Sequence, residues 1–504
     1  MEHMRYLVLV LAWPLAAVNL FASAPCDSLA KLALPHSVVT LAQEVPAGGL
    51  TLPAGAVPTF PGFPAPNFGN LPAFCRVAAT LKPTSDSEIK IEVWMPSSGW
   101  NGSLESVGNG AWAGNISYRD LATAVAAGYA AASTDTGHTE TTAAFAAGHP
   151  EKLIDFAYRA VHEMTVSAKA IVAKYYGNNP VRSYFNGCST GGRQALTEAQ
   201  RFPDDYDGIV AGAAANYPSH LQGAQVWTTE ITNQNGGYIP PAKYPLIHNA
   251  VLEACDALDG VKDRVLEDPR LCHFDPQTIA CKGPDAPTCL TSAQVEVARK
   301  IYAGPGPSLF PGLEPGSELG WATLSGPKPM ALAAETYQYL VFKDPNWNYL
   351  KFDAARDMAI ADREIGPTMN SIDPDLKPFF KHAGKLLMYH GWADPGIAPE
   401  NSVNYFTSVE DTVGGKSKAS DSIRLFMVPG MGHCAGGDGT DDFDKIGTLA
   451  TWVEANKPPD QILAAHKTQG AVDRTRPLCP YPETAHYKGS GNTNDAASFV
   501  CAKP

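Results

Sequence analysis

The chain has 504 residues, 44% hydrophobic and 18% charged, with a formal net charge of −13. That length allows one large core with a sizeable insertion, or two to three domains. The acidic balance argues against nucleic acid and anionic membrane as partners.

The first elements read as a targeting segment. Arg5 gives a positive start, residues 6–21 are largely apolar, and Ala22-Ser23-Ala24 resembles a small-residue cleavage site. The apolar run is short and broken by Pro14 and Asn19, which disfavours a membrane anchor. Residues 1–24 are therefore expected to be a signal peptide, and the mature protein to be secreted or periplasmic. The ten cysteines, an even set, suit such an oxidising compartment. No C-x-x-C pair exists, which argues against zinc. Proximity suggests Cys26 with Cys75, Cys255 with Cys272, Cys281 with Cys289 and Cys479 with Cys501, leaving Cys188 with Cys434. Proximity alone does not fix connectivity.

Residues 27–75 are rich in Pro and Gly and are expected to wrap the surface. Ile89 to Met95 alternates with period two and reads as a strand. Val107 to Gly114 is a Gly-rich loop after a strand, but its spacing is not that of a dinucleotide fingerprint. It suits half of an oxyanion hole, with the Gly108 N–H as donor, or a plain strand-end turn. Leu153 to Lys174 places apolar residues at steps of three and four and reads as a helix. Ser183 to Asn186 reads as a strand, Gly192 to Arg201 as a helix and Ile209 to Ala211 as the next strand. This alternation predicts a parallel sheet covered by helices.

Between that strand and that helix lies Gly187-Cys188-Ser189-Thr190-Gly191. A serine hydroxyl needs a base to take its proton and a third group to orient the base. A sharp strand-to-helix turn would expose Ser189, with the Thr190 N–H facing the developing oxyanion. The pentapeptide alone is weak, since a helix N-cap serine looks the same. Ordered partners strengthen it. Asp394 follows the strand signature Lys385 to Gly391. His433 follows a strand from Ser422 to Pro429 and a flexible loop. Ser, Asp, His is the chain order of an α/β-hydrolase triad. Asp438, Asp441 and Asp442 follow the histidine and would break that order. Leu449 to Asn456 reads as a closing helix.

From about residue 214 to 382 the alternation stops. Trp, Tyr, Pro and Cys accumulate, with helical pieces at Ser292–Tyr302 and Ala331–Phe342. The simplest organisation is a catalytic domain in two parts, residues 25–213 and 383–504, with a lid inserted between strands at 214–382. Trp227, Tyr238, Trp321, Tyr337, Phe342 and Trp347 are its candidates for an aromatic acyl slot, although each taken singly reads as core before pocket. Within it, Asp256 to Val265 gathers carboxylates around a turn glycine. Asp256, Asp259 and Asp263, with the carbonyls of Val261 and Val265, would offer five oxygens to Ca²⁺, although the spacing is not that of an EF-hand. An Asx-capped solvent turn fits the spacing equally.

Several segments together resemble the tannase/feruloyl esterase family of secreted serine esterases. They are Gly187 to Arg193, Phe202-Pro203 with Tyr206 to Gly212, Cys255 to Gly260, Phe342 to Trp347, Val428 to Cys434, and Arg476 to Pro482. The resemblance covers nearly the whole mature chain. It implies an α/β-hydrolase fold with a lid, the Cys188–Cys434 disulfide beside Ser189 and His433, the other four pairs above, and a structural Ca²⁺ in the Asp256 loop with no organic cofactor. It implies cleavage of aromatic carboxylic esters: hydroxycinnamates on plant polysaccharide, chlorogenate, galloyl esters of tannins, or a terephthalate monoester. The compact lid lacks the longer insertion of the terephthalate branch and tilts the reading toward feruloyl esters. Readings from other classes are a silent, calcium-stabilised binder of phenolics or glycans, and a serine peptidase. Oligomeric state is not readable from the chain.

Overall fold

A computed structural model describes residues 23–53, 55–57, 66–112 and 114–503. Of the expected signal peptide only Ser23 and Ala24 fall among them; the rest lies outside the described residues.

Nine strands form one mixed sheet: β1 (Ser37–Val45), β2 (Phe74–Leu81), β3 (Ile89–Pro96), β4 (Ser103–Val107), β5 (Ala130–Thr134), β6 (Arg182–Cys188), β7 (Gly208–Gly212), β8 (Lys385–Gly391) and β9 (Ile423–Val428). Their spatial order is β1-β2-β3-β5-β4-β6-β7-β8-β9. The first three pairings, β1–β2, β2–β3 and β3–β5, are antiparallel. From β5 to β9 all pairings are parallel. Every residue of β4, β5, β7 and β8 is buried, as helices on both faces of a parallel sheet require.

Successive side chains serve opposite faces. Phe185, Ile209, Leu386 and Leu425 enter the core that contains Met164 and Ile171. Their neighbours Tyr184, Val210, Leu387 and Phe426 enter the core built on Leu449 and Trp452. Burying each such side chain contributes roughly 1.5–3 kcal/mol, so a one-residue slip in register would exchange the two cores at great cost.

The expected strands and helices in the sheet region are present, with ends shifted by a few residues. Most of the described residues of 27–75 are half-buried or exposed, as expected of a surface stretch, but they include an element that the sequence did not announce. They contain β1, a nine-residue edge strand in which only Val45 is buried, so no apolar run marks it in a stretch rich in Pro and Gly. The expected helix from Leu153 is broken in character: Pro150–Ile154 is α-helical, Asp155–Arg159 is one π-helical turn, and Ala160–Tyr176 resumes the α-helix. A similar π-helical turn, Thr336–Val341, replaces the second half of the helix expected over Ala331–Phe342. Two small antiparallel sheets near the C-terminus, Ile462–Thr468 with Ala471–Leu478 and Thr484–Tyr487 with Phe499–Ala502, had no counterpart in the sequence reading.

Between β7 and β8 the chain adds no strand to the main sheet among the described residues. It forms helices at Pro218–Thr232, Tyr244–Cys255, Ser292–Ala303 and Ala354–Glu364. Their core, with Val226, Ile247, Trp321 and Met358, is continuous with Trp112 and Phe156 from the sheet side. Five disulfides join Cys26–Cys75, Cys188–Cys434, Cys255–Cys272, Cys281–Cys289 and Cys479–Cys501. No helix among the described residues is long and apolar enough to cross a membrane.

Candidate active site

β6 ends at Cys188 and the helix Thr190–Arg201 begins at once, so Ser189 must turn the chain alone. It does so at φ 63° and ψ −122°, a conformation that costs a non-glycine residue of the order of 1–3 kcal/mol. The turn is fixed on both sides. The Ser189 N–H donates to the Gly212 carbonyl at 3.0 Å, and its own carbonyl accepts from the N–H groups of Arg193 and Ala215, each at 3.0 Å. The flanking glycines are required by space: a Cβ on Gly187 would lie 2.4 Å from the Gly191 carbonyl oxygen, and one on Gly108 would lie 2.6 Å from the Gly191 Cα.

Asp394 sits just beyond β8 and is fully buried. One carboxylate oxygen accepts from the N–H groups of Gly396 (2.8 Å) and Ile397 (3.0 Å). The other accepts from His433 Nδ1 at 2.7 Å and from His390 Nε2 at 3.1 Å. Burial alone would raise this carboxyl, but two neighbouring imidazoles hold it well below the usual carboxylate range. His433 is the mirror case. Burial pulls the imidazole down, the charge and hydrogen bond of Asp394 push it up, and the net pKa is raised. Donation from Nδ1 leaves the Nε2 lone pair of neutral His433 free to accept a proton.

The sequence reading missed His390. Its Nε2 faces only acceptors, Asp394 and the Ile397 carbonyl, so it carries the proton, and its Nδ1 accepts from the Ser402 hydroxyl at 2.7 Å. The available signal was a histidine at the end of a buried strand, four residues before the acid. The competing carboxylates are engaged elsewhere: Asp441 accepts from the Gly436 N–H, Asp442 pairs with Lys467, and Asp438 faces His248.

The His433 loop is a tight turn, with the Gly432 N–H donating to the Gly436 carbonyl at 2.8 Å. The Cys188–Cys434 bridge joins it to the Ser189 turn. Ser189 and His433 line one cavity of about 560 Å³. The Ser189 hydroxyl makes no hydrogen bond among the described residues, and such contacts commonly tighten only when substrate binds.

The walls of this cavity are mostly apolar, with Trp112, Phe156, Leu221, Leu332 and Ile397, and carry polar groups at Arg193, Gln222 and Gln225. None of the six aromatic candidates lines it. Trp321 and Tyr337 are buried in the core of the inserted segment, Trp227, Phe342 and Trp347 pack against that core, and Tyr238 is exposed. Phe156 stands in the π-helical turn. Buried Arg193 donates to the carbonyls of Ala157 (2.7 Å) and Phe156 (3.2 Å) there, which satisfies groups that the π register leaves open.

The oxyanion assignments divide. Thr190 opens its helix, so its N–H has no intrahelical acceptor. Gly108 is a correction: its N–H donates to the Asn186 carbonyl at 2.9 Å, extending the β4–β6 ladder, and cannot also serve as a free donor. The Asn109 N–H is likewise taken, by Gln194 Oε1 at 3.0 Å, and the Gln194 amide returns a bond to Asn109 Oδ1 at 3.1 Å. The next backbone donors on this loop belong to Gly110 and Ala111, and Ala111 lines the cavity.

The acidic loop lies apart from this cavity. Asp259, Val261, Asp263 and Val265 surround a space of about 20 Å³, joined by Glu267, which the sequence reading did not include. Asp256 does not line it; its carboxylate accepts from the N–H groups of Asp263 and Arg264. The Asp263 carboxylate is paired with Arg476. The three aspartates accordingly do not all converge within 4.8 Å of one another. Burial and neighbouring negative charge raise Asp259 to about 6 and Glu267 to about 8. Arg474 and Arg476 line the same space and pair with Asp263, while the carboxylates of Asp259 and Glu267 and the nearby carbonyls are hard oxygen donors of the kind that Ca²⁺ accepts.

Residues 75–502 match the family model "Tannase and feruloyl esterase". An uncharacterized esterase of Xanthomonas campestris pv. campestris is 36% identical over 95% of this chain and 91% of its own. The crystal structure of feruloyl esterase B from Aspergillus oryzae superposes with a TM-score of 0.87 at 32% identity, covering 95% of this chain and 99% of that one. Tannin acyl hydrolase from Aspergillus niger shares the fold at a TM-score of 0.77 and 24% identity, over 96% of this chain and 94% of that one. The chain belongs to the tannase and feruloyl esterase family, carboxylic ester hydrolases on an α/β-hydrolase fold.

Proposed function

We propose that this enzyme is a secreted serine esterase that hydrolyses feruloyl and related hydroxycinnamoyl esters of plant cell-wall polysaccharide, with Ser189 as nucleophile, His433 as base and Asp394 as the acid that orients it. The observation that carries the reading is the shared cavity: Ser189 and His433 face one apolar space while Asp394 holds His433 from behind at 2.7 Å. The similarity to a feruloyl esterase B supports the aromatic acyl group, and five disulfides suit an exported protein.

In the first step His433 Nε2 takes the Ser189 proton as the hydroxyl oxygen attacks the ester carbonyl. The Thr190 N–H, with a second donor from Gly110 or Ala111, stabilises the oxyanion. Asp394 stabilises the imidazolium that forms. His433 then protonates the leaving alcohol, water repeats the attack, and the aromatic acid departs. The flat acyl group would occupy the apolar cavity against Trp112 and Phe156.

Asp259, Asp263 and the carbonyls of Val261 and Val265, with Glu267 beside them, would hold a structural Ca²⁺, and Asp256 would brace the loop through the N–H groups of Asp263 and Arg264. The ion would pin a loop already closed by Cys255–Cys272 and take no part in the chemistry.

The test is turnover of methyl ferulate, methyl gallate, chlorogenate and the terephthalate monoester by wild type and by Ser189→Ala. Preference for the hydroxycinnamates, with a loss of at least about 10⁴-fold in the variant, supports the reading. Retained turnover in Ser189→Ala would sink the nucleophile, and preference for the gallate would move the substrate class to tannins.

A further inference from the structure

A second cavity, of about 260 Å³, shares His433 and Pro395 with the first but includes neither Ser189 nor Thr190. Its polar end is His248, from the helix Tyr244–Cys255, beside Asp438 from the loop after His433. His248 is buried, with Nδ1 at 2.9 Å from Glu318 Oε2. Glu318 is itself fully buried and also accepts from the Tyr302 hydroxyl and the Gly316 N–H, each at 2.8 Å. The ring is therefore held rigidly from one side.

Its other nitrogen is held only loosely, by an ion pair with Asp438. His248 Nε2 is buried and has no hydrogen-bond partner among the described residues; the Asp438 carboxylate stands 3.5 Å away, beyond a good hydrogen bond. Burial works against a charged ring here, but Asp438 and Glu318 outweigh it and raise the pKa to about 9. A buried N–H that meets its acceptor only at this distance gains when a ligand hydroxyl enters between the two and bonds to both. A donor nitrogen next to a carboxylate acceptor is the arrangement that a vicinal diol bridges, one hydroxyl accepting and the other donating. Trp392 adds an apolar wall of the kind on which the C–H face of a ring packs.

The position of this cavity follows the reaction. His433 protonates the leaving oxygen, so the alcohol half of the ester must lie against His433, while the acyl half stays with Ser189 and the oxyanion donors. We infer that the second cavity is the alcohol subsite and that His248 and Asp438 select a polyhydroxylated alcohol over a simple alkyl one. This rests on the esterase reading above.

Two paired comparisons test it: 5-O-feruloyl-L-arabinofuranose against methyl ferulate, and 3-O-caffeoylquinate against methyl caffeate. The first pair reports a sugar and the second a cyclic hydroxy acid. In His248→Gln and in Asp438→Ala, a half-exposed position that spares the core, the ratio of kcat/KM for the polyol ester to that for the methyl ester should fall about tenfold, the effect of losing one hydrogen bond to a charged group. Saturation-transfer NMR with methyl L-arabinofuranoside and with quinate reads the cavity without turnover, and the signal should weaken in both variants. Ratios unchanged in both variants, with saturation transfer absent or unaltered, would overturn the assignment. A wild type that hydrolyses none of the four esters would refute the esterase reading instead, and the saturation transfer would still decide the cavity.

Discussion

Replacing Cys188 and Cys434 together by serine removes the bond that ties the Ser189 turn to the His433 loop. The bridge spans a sequence separation of 246 residues. In the chain-entropy model such a link restrains the unfolded chain by about 5.5 kcal/mol at 25 °C. That figure is an upper value, because Cys255–Cys272 and Cys281–Cys289 lie inside the loop and already shorten it. The folded site has other restraints: the Asp394 hydrogen bond to His433 and the Gly432–Gly436 turn both survive the change. The double variant should therefore fold, with stability to urea reduced by about 3–5 kcal/mol. Its kcat for methyl ferulate should drop roughly 10- to 100-fold, the scale of a 1 Å misplacement of a reacting group. Urea titration followed by fluorescence, with initial rates on the same preparation, measures both. Wild-type kcat in the double variant would refute the claim that the bridge positions nucleophile and base.

Two further perturbations address proton transfer and metal. Because His433 must be neutral to act as base and its pKa is raised above 6.5 by Asp394, kcat/KM should rise with pH through a value above 6.5. Asp394→Asn should lower that limb and cut turnover by about 10⁴-fold; a limb at or below 6.5 in the wild type, unmoved by the substitution, contradicts the pairing. In stability the raised His433 pKa contributes fully below its unfolded value and is lost as pH rises through the folded one, whereas the depressed Asp394 pKa contributes above its unfolded value and is lost as pH falls through the folded one. Removing Ca²⁺ with EDTA should lower the melting temperature by several degrees, with recovery on adding Ca²⁺ and little response in Asp259→Asn. An identical melting curve with and without chelator would remove the ion from the account.

The sequence was most legible where one residue type has one use. Buried parallel strands such as Lys385–Gly391 read as apolar runs because both faces are covered. The order Ser189, Asp394, His433 could be read because a strand precedes each of these candidates. Elements failed where composition misleads. β5 is Ala130 to Thr134, small residues with weak strand character, forced into the sheet by the helices packed on it. β1 is an edge strand in a stretch rich in turn residues. The two π-helical turns leave no mark on a helical periodicity. At the site, Gly108 was misread because a strand-end glycine looks the same whether its N–H is free or committed to the ladder. His390 sits only four residues before Asp394, but a histidine closing a buried strand has no pattern that sets it apart from a core residue, and Glu267 meets Ala485 218 positions away. Of the lid aromatics, Trp321 and Tyr337 lie in the core of the insertion and Trp227, Phe342 and Trp347 pack against it, as their residue type allows, while Trp112 and Phe156 of the sheet region reach the cavity. Composition tells that an aromatic is buried, not against what.

The central claim is that Ser189 is the nucleophile, and covalent capture tests it most directly. Wild-type enzyme treated with a fluorophosphonate, digested and mapped by mass spectrometry, should carry one adduct, on the peptide containing Ser189. The label should parallel the loss of methyl ferulate hydrolysis and be absent from Ser189→Ala. Inactivation with the adduct on another residue, or full labelling of Ser189 with activity retained, would contradict the account.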